Sequence, residues 1–241
     1  MRILVTRPEP DAAEQAAKLS ALGHEPVLAP LLRIEFLAPN INLAGAGAIV
    51  VTSRNALRAL ASHPALEAAL RLPLFAVGEA TASGATELGF TNVRRGLGTG
   101  AELAEMIAED FDAGGGAILH LSGETLAFDL QSALAEQGFD MRRSILYRSV
   151  PAPDLPPEVL ALLQDGELDG VVLMSPRTAS TFSALIRRSG ANAERLICYC
   201  LSEAVAQALR PVRTGIQVAR QPNENEVLAL IDASRASSPT S

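Results

Sequence analysis

Short runs of β-branched and other apolar residues alternate along this chain with longer alanine-rich stretches whose apolar positions recur at helical spacing. Alternating strands and helices of this kind belong to an α/β protein with parallel sheets. The first run, Ile3-Leu4-Val5, leads into a helix with Asp11 and Glu14 at capping-box spacing and Gly23 as its stop. The second, Ala48 to Thr52, passes through Ser53 as N-cap into a helix from Arg54 to Leu60. Leu74 to Val77 turns at Gly78 into Ala80 to Leu88, and a fourth helix opens with the box Thr99 and Glu102. The run Gly96-Leu97-Gly98-Thr99-Gly100 ahead of it has no strand abutting it and reads as a loop.

After Gly114-Gly115-Gly116 the series starts again. Ile118 to Leu121 leads through Ser122-Gly123 to a helix ending at Gly138. Val171 to Met174 leads to Ser175 as N-cap with Pro176 at the first helical position. Ile197 to Leu201 leads through Ser202 to a helix near Leu209, and Asn223 with Glu226 forms a final box. The two series stay in step: Ile3 matches Ile118, Gly23 matches Gly138, Ser53 matches Ser175, Glu79 matches Glu203 and Thr99 matches Asn223. Ordered matches with slowly drifting offsets point to a duplicated architecture. Two stretches stand outside the units, Leu31 to Leu37 and Ser144 to Val150, and each reads as a strand leaving one domain for the other. The Ser-rich stretch 234–241 is expected to be disordered.

Composition narrows the function classes. With 241 residues and 48% hydrophobic content the chain can bury a substantial core. Its apolar runs are far shorter than the roughly 20 residues of a membrane span, and a strand-like run follows Met1 directly, so the expectation is a cytoplasmic protein. The net charge of -7 argues against nucleic acid as partner. Cys198 and Cys200 lie two apart in an apolar run and are expected to be packed as free thiols. With His24, His63 and His120 scattered, no metal site is expected. No dinucleotide fingerprint follows the first strand, no phosphate loop occurs, and no Ser-His-Asp set is supported, so no nucleotide cofactor is implied.

In open parallel sheets ligands bind beyond the carboxyl ends of the strands. That rule selects the turns holding Arg7, Ser53, Arg54, Asn55, Gly78, Thr81, Ser122, Gly123, Ser175 and Ser202. Such turns expose backbone N–H groups and helix dipoles, each worth about 0.3–1 kcal/mol to a nearby anion. Several of them converging would hold a polycarboxylate without a lysine cluster, which reconciles an anionic ligand with an acidic chain. Arg7, Arg54 and Arg177 add local positive charge. Each hydroxyl residue also reads as a plain N-cap, and the two roles coexist. Tyr147, in the second inter-domain strand, is protonated at neutral pH and can act as a general acid; the alternative is an amphipathic strand tyrosine.

As an ordered set, Val5-Thr6-Arg7-Pro8, Val50 to Ala56, Ala76 to Ala82, Leu146-Tyr147-Arg148, Leu173-Met174-Ser175-Pro176 and Gln221-Pro222-Asn223 resemble the uroporphyrinogen-III synthase family, from Arg2 to about Ile231. The resemblance implies two flavodoxin-like parallel-sheet domains joined by a two-strand linker with a cleft between them. One domain comprises residues 1–33 with 154–233, the other residues 39–144, and residues 34–38 and 145–153 link them. It implies a cofactor-free lyase that cyclises hydroxymethylbilane, with inversion of the far pyrrole ring and loss of water, to uroporphyrinogen III. Hydroxymethylbilane synthase is the upstream donor it implies, and a monomer the expected state. By resemblance Tyr147 matches the tyrosine that assists hydroxyl departure, and Ser53, Thr81 and Ser175 fall at substrate positions. Ser202-Glu203-Ala204-Val205 departs from the family's Gly-x-Thr-like turn, leaving backbone N–H groups as the contacts there. The rival readings are a non-catalytic two-domain protein that binds a small anion and a receiver-like signalling domain. Thr6-Arg7 and Thr52-Ser53 occupy the places where a receiver needs its acidic residues.

Overall fold

The computed structural model describes residues 1–209 and 212–236 and divides into two compact units, residues 1–33 with 150–241, and residues 34–149. In chain order the strands are β1 (Arg2–Val5), β2 (Glu25–Leu28), β3 (Leu32–Phe36), β4 (Ala46–Val51), β5 (Leu74–Ala76), β6 (Val93–Arg95), β7 (Ala117–Gly123), β8 (Met141–Pro151), β9 (Gly170–Leu173), β10 (Ile197–Cys200) and β11 (Gly215–Val218). The helices are α1 (Asp11–Ala21), α2 (Arg54–Ala61), α3 (Leu66–Ala69), α4 (Glu79–Leu88), α5 (Gly100–Asp110), α6 (Leu130–Ala135), α7 (Pro157–Gln164), α8 (Pro176–Ser189), α9 (Glu203–Gln207) and α10 (Glu224–Ala236). No described helix is long and apolar enough to cross a membrane.

The first unit holds a sheet ordered β11-β10-β9-β1-β2, parallel throughout. Because side chains alternate across a strand, Leu4, Val171 and Leu173 point to one face, where α7, α8 and α9 cover them with Val159, Leu163, Phe182 and Val205. Ile3, Val5 and Val172 point to the other, under Leu19 of α1 and Val227 and Ile231 of α10. Burying each such side chain stabilises the unit by roughly 1.5–3 kcal/mol.

The second unit repeats this plan in a sheet ordered β3-β8-β7-β4-β5-β6. Laying β7 on β1, β4 on β9, β5 on β10 and β6 on β11 gives the same spatial order. Ile49, Val51, Leu119 and Leu121 meet α2 and α4 on one face, while Ala48, Val50 and Ile118 meet α5 and α6 on the other. Strands β3 and β8 carry the chain across the boundary between the units.

Local signals account for most helix ends. The Asn55 N–H donates to Ser53 Oγ at 3.2 Å, the Thr178 N–H to Ser175 Oγ at 3.1 Å and the Glu226 N–H to Asn223 Oδ1 at 3.0 Å. The Thr99–Glu102 capping box is complete. Others differ from expectation. Asp11 is the first residue of α1 rather than its cap, with Pro10 at the cap position, because its carboxylate pairs with Arg7. Ser122 and Gly123 finish β7 instead of opening a helix; residues 124–128 intervene, and Asp129 caps α6 through the Ser132 N–H at 3.1 Å. The Gly96 to Gly100 run does follow a strand, β6, which pairs in parallel with β5. Residues 234–236 continue α10 rather than starting a disordered tail; residues 237–241 lie outside the described residues.

Candidate active site

At the carboxyl end of the second unit's sheet, β4, β5 and β7 deliver Thr52, Val77 and Gly123 to one cavity of about 480 Å³. Gly98, Thr99, Gly100 and Ala101 line it from the start of α5, residues Thr125 to Phe128 and Leu130 from the segment after β7, and Tyr147 from β8. That volume suits a single substituted ring rather than a large macrocycle, within the roughly 300–1,000 Å³ of small-molecule sites. Its wall mixes the hydroxyls of Thr52, Thr99, Thr125 and Tyr147 with the apolar faces of Val77, Leu126 and Phe128.

Tyr147 reaches this wall through an irregularity in pairing. His120 pairs with Arg143, Leu121 with Ser144 and Ser122 with Ile145, but Gly123 pairs with Tyr147. Strand β8 therefore spends two residues, Leu146 and Tyr147, where β7 advances by one, a β-bulge that re-aims the side chains beyond it. Leu146 is buried in the core below, and Tyr147 packs against the same cluster. The phenol ring lies where a Cβ of residue 123 would be: that position is 2.6 Å from Tyr147 Cζ and 2.9 Å from its hydroxyl oxygen. Glycine is required at 123 for space.

The side chain of Ser53, the N-cap of α2, acts on the Tyr147 hydroxyl from the neighbouring helix start. Burial pushes the Tyr147 pKa above its ordinary value, and the nearby Ser53 hydroxyl opposes this more weakly. The group stays protonated at neutral pH, as a proton donor must. On β7, His120 is buried, with its Nε2 3.4 Å from Thr52 Oγ1. Burial first, and the positive charge of Arg143 second, lower His120 to about 4, so its ring is neutral at pH 7.

The remaining residues singled out in the sequence fall in several places. Arg54 is half-buried at the first position of α2, and Asn55 accepts from Arg58 at 2.8 Å through its Oδ1. Gly78 is the extended N-cap of α4, where a Cβ would lie 3.4 Å from Gly98 Cα, and Thr81 is buried one turn on. The Ser122 hydroxyl is inside the fold, accepting from Arg143 Nε at 2.8 Å and donating to the Gly123 carbonyl at 3.1 Å. Arg7, Ser175 and Ser202 stand at the carboxyl ends of the first unit's strands. Ser175 caps α8 and shares a 2.9 Å hydrogen bond with Thr178 Oγ1, whereas Ser202 precedes α9 without capping it through its side chain. Arg7 donates to Asp11 at 2.9 Å and to Glu224 at 3.0 Å, so its charge is met by two carboxylates.

Sequence reasoning left out Thr99, Thr125, Phe128, His120 and Arg143. The glycine-rich run before α5 was the one signal for Thr99; nothing local distinguishes the others. Cys198 and Cys200 are buried free thiols, raised by burial to about 11 and about 12. Among the described residues no group of three or more His, Cys, Asp or Glu side chains is placed to hold a metal ion.

The structure of uroporphyrinogen-III synthetase from Helicobacter pylori 26695 is similar with a TM-score of 0.70 at 18% identity, covering 97% of this chain and 99% of that one. A mutant uroporphyrinogen III synthase from the extremely thermophilic bacterium Thermus thermophilus is similar with a TM-score of 0.58 at 20% identity, covering 98% of each chain. At such identities these likenesses establish the two-unit α/β fold. No curated protein matches the chain. The family model described as uroporphyrinogen-III synthase HemD matches residues 13–232, nearly the whole sequence, and on that ground the chain belongs to the uroporphyrinogen-III synthase family of tetrapyrrole biosynthesis.

Proposed function

We propose that this protein is a lyase that closes hydroxymethylbilane to uroporphyrinogen III, with Tyr147 as the acid that starts the reaction. The observation that carries the reading is Tyr147 on the wall of a ring-sized cavity, seated over Gly123 and kept protonated by burial. The phenol proton passes to the hydroxymethyl oxygen as its bond to carbon breaks, and water leaves. The carbon so exposed is attacked by the far pyrrole, which inverts through a spiro intermediate before the macrocycle closes. The proton released when that pyrrole regains aromaticity returns to the phenolate, so the residue is restored and water is the only other product.

Most of the catalytic task is conformational. Closure without guidance yields the symmetric isomer, so the protein must hold the linear chain in the curl that favours inversion, by proximity and orientation. Backbone N–H groups at the starts of α4 and α5, and the hydroxyls of Thr52 and Thr125, are the donors we assign to substrate carboxylates in the second unit. Ser53, Arg54, Asn55, Gly78, Thr81, Ser122 and Gly123 shape that surface. Of the first unit's residues, Ser175 and Ser202 mark further helix starts at the ends of strands, and Arg7 keeps the β1–α1 turn in place. The resulting enzyme acts as a cytoplasmic monomer without metal or organic cofactor, and receives its unstable substrate from hydroxymethylbilane synthase.

The test is to add freshly generated hydroxymethylbilane and resolve the uroporphyrinogen isomers. Isomer III in excess over a protein-free control supports the enzyme. Binding with production of isomer I alone, at the spontaneous rate, removes it.

A further inference from the structure

The segment on which Tyr147 rests is restrained from two sides. Above it lies the phenol ring, with the Glu124 N–H donating to the Tyr147 carbonyl at 2.9 Å. Against it from β8 comes the half-buried Arg143. Its Nε donates to Ser122 Oγ at 2.8 Å, and one terminal nitrogen donates to both the Gly123 carbonyl at 2.5 Å and the Glu124 carbonyl at 2.7 Å. These acceptors are the last residues of β7 and the first beyond it, the stretch in which the pairing with β8 slips by one residue.

A bulge alone fixes where a strand loses register but leaves the segment beyond it free to twist. Here the guanidinium takes hold of three consecutive residues across the slip. Its planar fork can grip several acceptors at once in a fixed geometry, which an ammonium cannot. We infer that Arg143 is a positioning residue for Tyr147, holding the Gly123 and Glu124 carbonyls so that the phenol settles over Gly123. It acts through β7 and takes no part in proton transfer. The inference rests on the acid role proposed for Tyr147.

The experiment is a double-mutant cycle on the full chain with freshly made hydroxymethylbilane, scoring kcat and KM for isomer III in the wild type, Arg143→Met, Tyr147→Phe and the double variant. Arg143→Met is expected to lower kcat by about tenfold with KM within about twofold, since a misplaced donor costs turnover rather than binding. In the Tyr147→Phe background the same substitution is expected to change kcat by less than about twofold, because there is no hydroxyl left to misplace. Arg143→Lys should recover part of the loss. A role in general stability would instead multiply through the cycle, and a role as a substrate-binding cation would fall on KM; either result overturns the inference. So does a wild-type kcat for Arg143→Met. Wild-type synthesis of isomer III and slowing by Tyr147→Phe test the underlying reading separately, and an unchanged Tyr147→Phe removes both. Where Arg143→Met loses its cooperative unfolding transition, the cycle with Arg143→Lys decides in the same way.

Discussion

Replacing Gly123 by alanine tests the seat of the phenol with a single methyl group. The new Cβ would stand 2.6 Å from Tyr147 Cζ, 2.7 Å from Cε2 and 2.9 Å from the hydroxyl oxygen. Carbon atoms rest at about 3.5–4.0 Å, so the ring must withdraw by about 1 Å. It cannot do so freely, because Tyr147 is packed on the core beneath β4 and β7 and its carbonyl is held by the Glu124 N–H. Overpacking of this kind costs about 1–3 kcal/mol of stability, and a displacement of about 1 Å at a reacting group costs about 100-fold in rate. The assay is isomer-III formation at saturating hydroxymethylbilane beside a urea unfolding curve. Gly114→Ala is the control, since the nearest atom to a Cβ there is Asp112 Oδ1 at 3.5 Å, an ordinary contact, and should leave both readouts unchanged. Gly123→Ala with wild-type kcat and stability would show that the ring does not occupy this position, and the argument for Tyr147 would fail with it.

Three further outcomes are expected. His120 is lowered to about 4 in the fold against an ordinary 6.5, so unfolding lets it take up a proton in acid. The stability this gives is fully present above about pH 6.5 and is lost as pH falls toward 4, about 3 kcal/mol in all; a His120 ring titrating near 6.5 by NMR would contradict it. Arg7→Ala should lower stability by about 1–3 kcal/mol by leaving Asp11 and Glu224 without their guanidinium, while changing KM by less than about twofold; a large KM effect with unchanged unfolding would make Arg7 a substrate contact. Because burial raises the Tyr147 pKa, the proton donor persists well into alkali, and kcat should show no falling limb between pH 7 and 9.

Which parts of this were legible in the sequence follows from how local their causes are. The central strands β4, β7 and β9 are largely buried on both faces and read as short runs dominated by apolar residues, with His120 interrupting β7. Strands β2, β6 and β11 lie at sheet edges, where half-exposed sequences such as Glu25-Pro26-Val27-Leu28 carry no such signal and proline is tolerated. The caps at Ser53, Thr99, Ser175 and Asn223 need only a hydroxyl or amide a few residues ahead of its target. Asp11 stood at the same spacing, but Arg7 competed for its carboxylate. The site is harder to read because it is made by tertiary pairing. Ser53 and Tyr147 could each be singled out from their own surroundings, yet nothing in the sequence announces that a one-residue slip at Leu146 brings them together. The same holds for Arg143, whose three acceptors lie about 20 residues away at the end of a neighbouring strand and just beyond it.

The most direct measurement is the rate of isomer-III formation by Tyr147→Phe, which deletes one oxygen and leaves the ring in its seat. The account predicts a kcat about 100-fold lower or more, in the range expected for a lost general acid, with an unfolding midpoint close to that of the wild type. A variant that makes isomer III at the wild-type rate would contradict it.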